Sequence, residues 1–298
     1  MQTVVRPRLP VDLRLTLGPL RHGPRDPTHR IGSELVWRAT RTPDGPATLR
    51  IRAVGDGIEV TAWGPGAERA VSTAPALLGA RDDLSGWEPG RHPLVAELDR
   101  RMPGMRFSAT GSVVEALVPT ILEQKVTSTE AHAAWARMVS RWGEPGPDEA
   151  PVWLPPGPTD IASRPYHAFH SLGLEKRRAD IVRRVCDRAV RAEEAASMEP
   201  AAARARLEAF PGIGPWTSAK VAQVAWADAD AVAVGDFHLP KIVVYALTGR
   251  RGGDDDAMLE LLEPFRGHRA RAALLLKRAG LKPPPRAPRF ALRDIRAL

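Results

Sequence analysis

A single cysteine, Cys186, stands in 298 residues. That excludes an intrachain disulfide, a four-cysteine zinc site and a four-cysteine iron–sulfur cluster. It suits a reducing compartment. No apolar run approaches the roughly 18 residues of a membrane span. No signal-peptide core follows Met1-Gln2-Thr3-Val4-Val5-Arg6, so a soluble intracellular protein is expected. Lysine is also scarce, with six among 43 basic residues. The formal charge of +8 therefore rests on arginine, the better fork for phosphate, although a high-GC genome would also enrich arginine. Hydrophobic residues at 43% and charged residues at 26% exclude disorder over the whole chain. At about 150 residues per domain, the length points to about two domains.

The first 75 residues read as β-rich. Val11 to Leu17 alternates apolar and polar, Ser33 to Thr40 does so more weakly, and Leu49 to Val54 and Ile58 to Trp63 flank the hairpin signal Gly55-Asp56-Gly57. Arg14, Arg38, Arg50 and Arg52 are read as an outward, solvated face. From about Ala76 the spacing turns helical. Helices are expected over 112–122, 131–142, 176–191 and 259–279. A further helical stretch over 204–227 is broken by Pro211-Gly212-Ile213-Gly214-Pro215. Trp135 and Trp142 share one helix face and are read as core. Pro145 to Pro158 is a connector, and 283–298 is a basic, proline-rich tail.

The segment Phe210-Pro211-Gly212-Ile213-Gly214-Pro215-Trp216-Thr217 carries most of the information. Two glycines around one apolar residue permit a tight turn with close backbone approach. Ile213 points inward and staples the flanking helices. Pro215 suits a first helical turn, where its missing N–H costs nothing. The amides at that helix start offer a phosphate site that needs no side chain. About twenty residues on, Val234-Gly235-Asp236-Phe237-His238 delivers an Asp to the start of another helix. Such an Asp commonly serves as an N-cap. Behind a phosphate-binding turn, it also fits a carboxylate held at the mouth of a pocket.

Together these segments resemble the helix–hairpin–helix base-excision DNA glycosylase superfamily, and most of all its 3-methyladenine DNA glycosylase II type. Leu77-Leu78-Gly79, Asp83-Leu84-Ser85-Gly86 and Val118 to Val126 add to the likeness. The resemblance implies a mainly α fold with an N-terminal α+β domain: a small antiparallel sheet over 1–75, then two helical subdomains around a cleft over 76–282. It implies a monofunctional enzyme of bacterial cytoplasm and nucleoid. The enzyme would flip a damaged, alkylated purine out of double-stranded DNA and hydrolyse its N-glycosidic bond. Asp236 would be the catalytic carboxylate. Trp216, Phe237 and His268 would line the base pocket. Gln124 and Lys125 would fill the gap in the duplex, Lys125 standing where relatives carry an apolar wedge. Gly212, Ile213, Gly214, Thr217, Lys241 and Arg269 would contact DNA. Trp216 occupies the place where lyase-type members carry a lysine, which implies no lyase activity, with Lys220 the nearest lysine. No cofactor, side-chain metal site or obligate protein partner is expected. The hairpin carbonyls are the one place where the resemblance would put a monovalent cation. The alternatives are a glycosylase for deaminated or oxidised bases, a non-catalytic damage-binding protein, and a nuclease using the hairpin as an anchor. Asp254-Asp255-Asp256, the only acidic run available to a nuclease, reads as a loop and helix cap.

Overall fold

The computed structural model describes residues 1–147 and 150–284. The expected tail from residue 285 onward, with Arg286, Arg289, Arg293 and Arg296, lies outside the described residues. Five strands open the chain: β1 (Gln2–Val5), β2 (His29–Ile31), β3 (Leu35–Thr42), β4 (Gly45–Val54) and β5 (Gly57–Trp63). They pair antiparallel throughout, in the order β1-β5-β4-β3-β2. The β4–β5 hairpin turns at Gly55-Asp56, as its Asp-Gly pair predicts.

The alternating run before β2 is not a strand. It forms the short helix α1 (Leu13–Leu17), because Leu13, Thr16 and Leu17 are buried together and the Asp12 carboxylate accepts the Leu15 N–H at 2.8 Å. Arg38 also departs from its expected place. Val36, Arg38 and Thr40 share the face of β3 that meets Leu49 and Ile51 of β4. Arg38 is buried there and pairs with Glu115 at 2.7 Å. Arg14 stays exposed, and Arg50 and Arg52 remain on the outer face beside Glu59.

Helix α2 (Ala67–Leu77) lies across β4 and β5. Its Ala70, Ala74 and Leu77 close the sheet's core, which runs on to Leu78. The helical remainder comprises α3 (Pro93–Arg101), α4 (Val113–Leu122), α5 (Ser128–Trp142), α6 (Pro158–Ser163), α7 (Tyr166–His170), α8 (Lys176–Asp187), α9 (Ala189–Glu193), α10 (Pro200–Glu208), α11 (Pro215–Ala225), α12 (Leu239–Thr248), α13 (Asp255–Leu262) and α14 (Arg269–Arg278). Two expected helices are broken. The one over 176–191 restarts after Arg188, and the one over 259–279 is interrupted at Pro264 and at Gly267, whose φ is +90°. The connector after α5 contributes a two-residue pairing of Glu144–Pro145 with Trp153–Leu154.

Two helical cores result. One joins α4 to α10 and includes Trp135, with Trp142 packed against it; the other joins α3 to α12–α14. Helix α11 serves both, giving Val221 and Ala225 to the first core and Ala219 and Ala222 to the second. Its N-terminus is therefore fixed relative to both halves. No helix among the described residues is long and apolar enough to cross a membrane.

Candidate active site

The turn between α10 and α11 forms as its sequence predicts. Pro215 opens α11, and Ile213 is buried against the α4–α10 core. The two glycines differ in what they do. Gly212 has φ +98°, and a Cβ there would lie 2.5 Å from the Ile181 side chain. Gly214 is extended at φ −118°, with open space where a Cβ would point. Gly212 is thus required by conformation and packing, whereas Gly214 leaves room for a partner. Substituting Gly212→Ala is expected to cost roughly 1–3 kcal/mol, from strain and overpacking. Gly214→Ala should leave the denaturation midpoint almost unchanged; urea unfolding of both variants checks this. Around the turn, the Gly214, Trp216 and Thr217 amides have no backbone acceptor among the described residues, as a phosphate site would need.

Two carbonyls of the turn are engaged by side chains. Arg184 donates to Pro211 O at 2.8 Å, and the Gln124 side-chain amide donates to Gly212 O at 3.0 Å. Gln124 also donates to the Thr217 hydroxyl at 3.0 Å. Gln124, expected to plug the duplex, here braces the hairpin. Thr217, expected to contact DNA, is buried under that bond; only its backbone amide remains without an acceptor. Lys125, next to Gln124, is exposed and adopts a left-handed backbone at φ +57°.

Asp236 follows Gly235, whose φ is +90° and whose N–H donates to Asp255 at 3.0 Å. One Asp236 oxygen accepts the His238 and Leu239 N–H groups at 2.8 and 2.9 Å, the cap arrangement at the start of α12. The other accepts the Trp216 indole N–H at 3.0 Å. One oxygen of Asp236 therefore caps the helix while the other holds the Trp216 indole. Burial raises its proton affinity, but the Trp216 bond, the two amides and the charge of Lys277 outweigh that and hold the carboxyl below its usual range.

A cavity of about 680 Å³ opens between residues 14–33, α4, α11 and the end of α14; Trp216 is not part of its lining and meets it only through Lys220. Asp236 does not itself line it. The Trp216 ring carries the Lys220 ammonium 4.9 Å from its centroid, and Lys220 does line the cavity. Lys220 is paired with Glu123, which also meets His22 at 3.8 Å and His132 at 3.7 Å. Burial opposes ionisation of Glu123, yet these three partners hold it well below the ordinary carboxylate range. Lys277 faces the same cavity: it is solvent-accessible, but surrounding protein and the nearby Lys220 lower its proton affinity.

Four more of the expected site residues lie outside the cavity lining. His268 is not a pocket wall: it is buried, with Nε2 at 2.8 Å from Ser85 O and Nδ1 accepting from Arg271 at 3.3 Å. Arg269 is locked onto Asp230 through both carboxylate oxygens, so its guanidinium is engaged within the fold. Lys241 sits 3.6 Å from the centroid of the Phe237 ring. Phe237 is 74% exposed beside Asp236 and is not part of the cavity lining. Asp254 caps α13 as read from sequence. The sequence did not single out His22 or Lys277, because neither belongs to a local motif; Glu123 and Asp255 stood only inside the segments 118–126 and 254–256, with no role of their own. Only the position of Glu123 just before Gln124 was available as a signal.

No protein-family model and no curated protein sequence matches the chain. Solved structures do. The 3-methyladenine DNA glycosylase of Archaeoglobus fulgidus superposes with a TM-score of 0.74 at 19% identity, over 93% of this chain and 96% of that one. The 8-oxoguanine glycosylase/lyase of Clostridium acetobutylicum gives 0.70 at 14%, over 93% and 95%. The Schizosaccharomyces pombe 3-methyladenine DNA glycosylase, solved with abasic DNA, gives 0.51 at 19%, over 66% and 95%. The first two likenesses run through the sheet and both helical cores, so the chain has the helix–hairpin–helix DNA glycosylase fold.

Proposed function

We propose that this protein is a monofunctional DNA glycosylase that removes a damaged base from duplex DNA by hydrolysis. The observation that carries the reading is the Trp216–Asp236 bond. It fastens an ionised carboxylate to the first turn of the helix whose free amides can hold a DNA phosphate. Such a carboxylate stabilises the positive charge that builds on the sugar as the glycosidic bond breaks, and it can orient the attacking water. The amides contact backbone, so they position the duplex without reading sequence. The base must leave the stack to be reached, and the adjacent cavity is large enough to receive it.

The lyase route would need an amine at the start of α11. That place holds Trp216, and the Lys220 ammonium is paired with Glu123. The product is therefore an intact abasic site. As to the base, the likeness to 3-methyladenine enzymes supports an alkylated purine, and the likeness to an 8-oxoguanine enzyme supports an oxidised one. The test is incubation with duplexes carrying alkylated, deaminated or oxidised bases, with strand breaks scored before and after alkali. Base release with breaks only after alkali is expected. Breaks without alkali would exclude the monofunctional reading, and no release from any duplex would exclude the enzyme.

A further inference from the structure

The face of Trp216, a natural stacking surface for a cationic base, already carries a cation, the Lys220 ammonium. Lys277 brings a second ammonium to the same cavity, with no hydrogen-bond or ion-pair partner among the described residues. Both carboxylates of the lining are engaged, Glu123 by Lys220 and the two histidines, Glu115 by Arg38. Among the lining residues Lys277 is thus the unpaired ammonium, beside the exposed Arg14 guanidinium, and neither carboxylate is free. An N-alkylated purine bears a positive charge; Lys220 is offset by Glu123, so in a partly desolvated cavity the repulsion that opposes entry comes from the unpaired Lys277. A neutral base with a carbonyl edge meets the opposite situation, since a carbonyl accepts a charge-assisted hydrogen bond from Lys277.

We infer that, given the base excision proposed above, the cavity selects a neutral purine with a carbonyl edge, deaminated or oxidised, and that Lys277 is the specificity-determining residue. The same ammonium serves the leaving group. A neutral purine departs with the electron pair of the C1′–N bond and carries negative charge that an alkylated purine does not. Lys277 gives that base a proton. Water adds to C1′, its proton passes to Asp236, and both side chains regain their charge by exchange with solvent. The depressed proton affinity of Lys277 suits it to donate.

The test uses the full chain and three otherwise identical duplexes, carrying hypoxanthine, 8-oxoguanine or 3-methyladenine. Each single-turnover release rate is divided by its spontaneous rate, because 3-methyladenine also leaves unaided. The expected result is an enhancement at least about 10-fold larger for one of the carbonyl-bearing purines. Lys277→Met should then cut that enhancement roughly 10- to 100-fold, the worth of one charge-assisted hydrogen bond. It should leave 3-methyladenine release unchanged or faster. Lys277→Arg, which keeps charge and donor, should retain the preference. A shift in the ratio between bases is not what misfolding produces, and the wild-type comparison stands even if the variant is unstable. Equal or greater enhancement for 3-methyladenine, or loss of both activities alike in Lys277→Met, would overturn the inference while leaving the glycosylase reading intact. No release of any base would remove both.

Discussion

Asp236→Asn is expected to lower base release by roughly 10²- to 10⁴-fold while duplex binding stays within a few-fold of wild type. The amides of the α10–α11 turn and the exposed Lys125 are untouched by the substitution, so the proposed phosphate contacts should survive. The fold loses less. An asparagine oxygen can still accept from His238 and Leu239, but its NH₂ would face the Trp216 indole N–H, donor against donor. That mismatch should cost about 1 kcal/mol, visible as a small shift in urea midpoint. Asp236→Ser separates the two jobs further, since serine caps a helix but supplies no charge to the sugar. Equal rates for wild type and both variants would exclude Asp236 from the chemistry. The pH dependence follows with its sign. The folded carboxyl lies below its reference value of 3.8, so its contribution to stability is full above that value and lost as pH falls through the lowered one. The acid limb that Asp236 imposes on the rate must likewise lie below pH 3.8.

What could be read from sequence was local. The α10–α11 turn is specified by residues that touch one another in sequence: a glycine forced to positive φ, an inward Ile213 and a proline at a helix start. Gly235-Asp236 was legible for the same reason. The misplacements have a common cause, that a side chain's partner can lie far along the chain. Arg38 reads as outward until Glu115 is known to pack above it, and Val11 to Leu17 reads as a strand until α1 buries one of its sides. Glu193, which accepts the first two amides of α4, is 80 residues from Val113. Asp26, buried and accepting the Trp135 indole N–H, is 109 residues from it. The electropositive cavity also escapes sequence, since it is assembled from residues 14–33, α4, α11 and α14.

Asp82→Asn should be strongly destabilising, at about 3–5 kcal/mol, and His268 is part of the reason. Asp82 and Arg271 form an ion pair with side chains 0% and 2% exposed. The second Asp82 oxygen accepts the Phe107 N–H at 3.1 Å. Arg271 lies over the Trp87 and Phe107 rings and donates to His268, whose other nitrogen meets Ser85 O. In that arrangement His268 donates from Nε2 and accepts at Nδ1, a neutral ring completing the shell of a buried guanidinium. Removing the carboxylate charge strands Arg271 in apolar surroundings, the costly half of breaking a buried pair. Replacing both partners, Asp82→Leu with Arg271→Met, should recover much of the loss, because the uncompensated charge is then gone. Urea unfolding of the two single variants and the double variant forms the cycle that checks this; additive losses would exclude the pairing. The same network fixes what His268→Trp should do. A pocket wall would change which base is released, with stability spared. A member of this cluster lowers stability, through overpacking and a lost acceptor for Arg271, and leaves the ratio of rates between bases as it was.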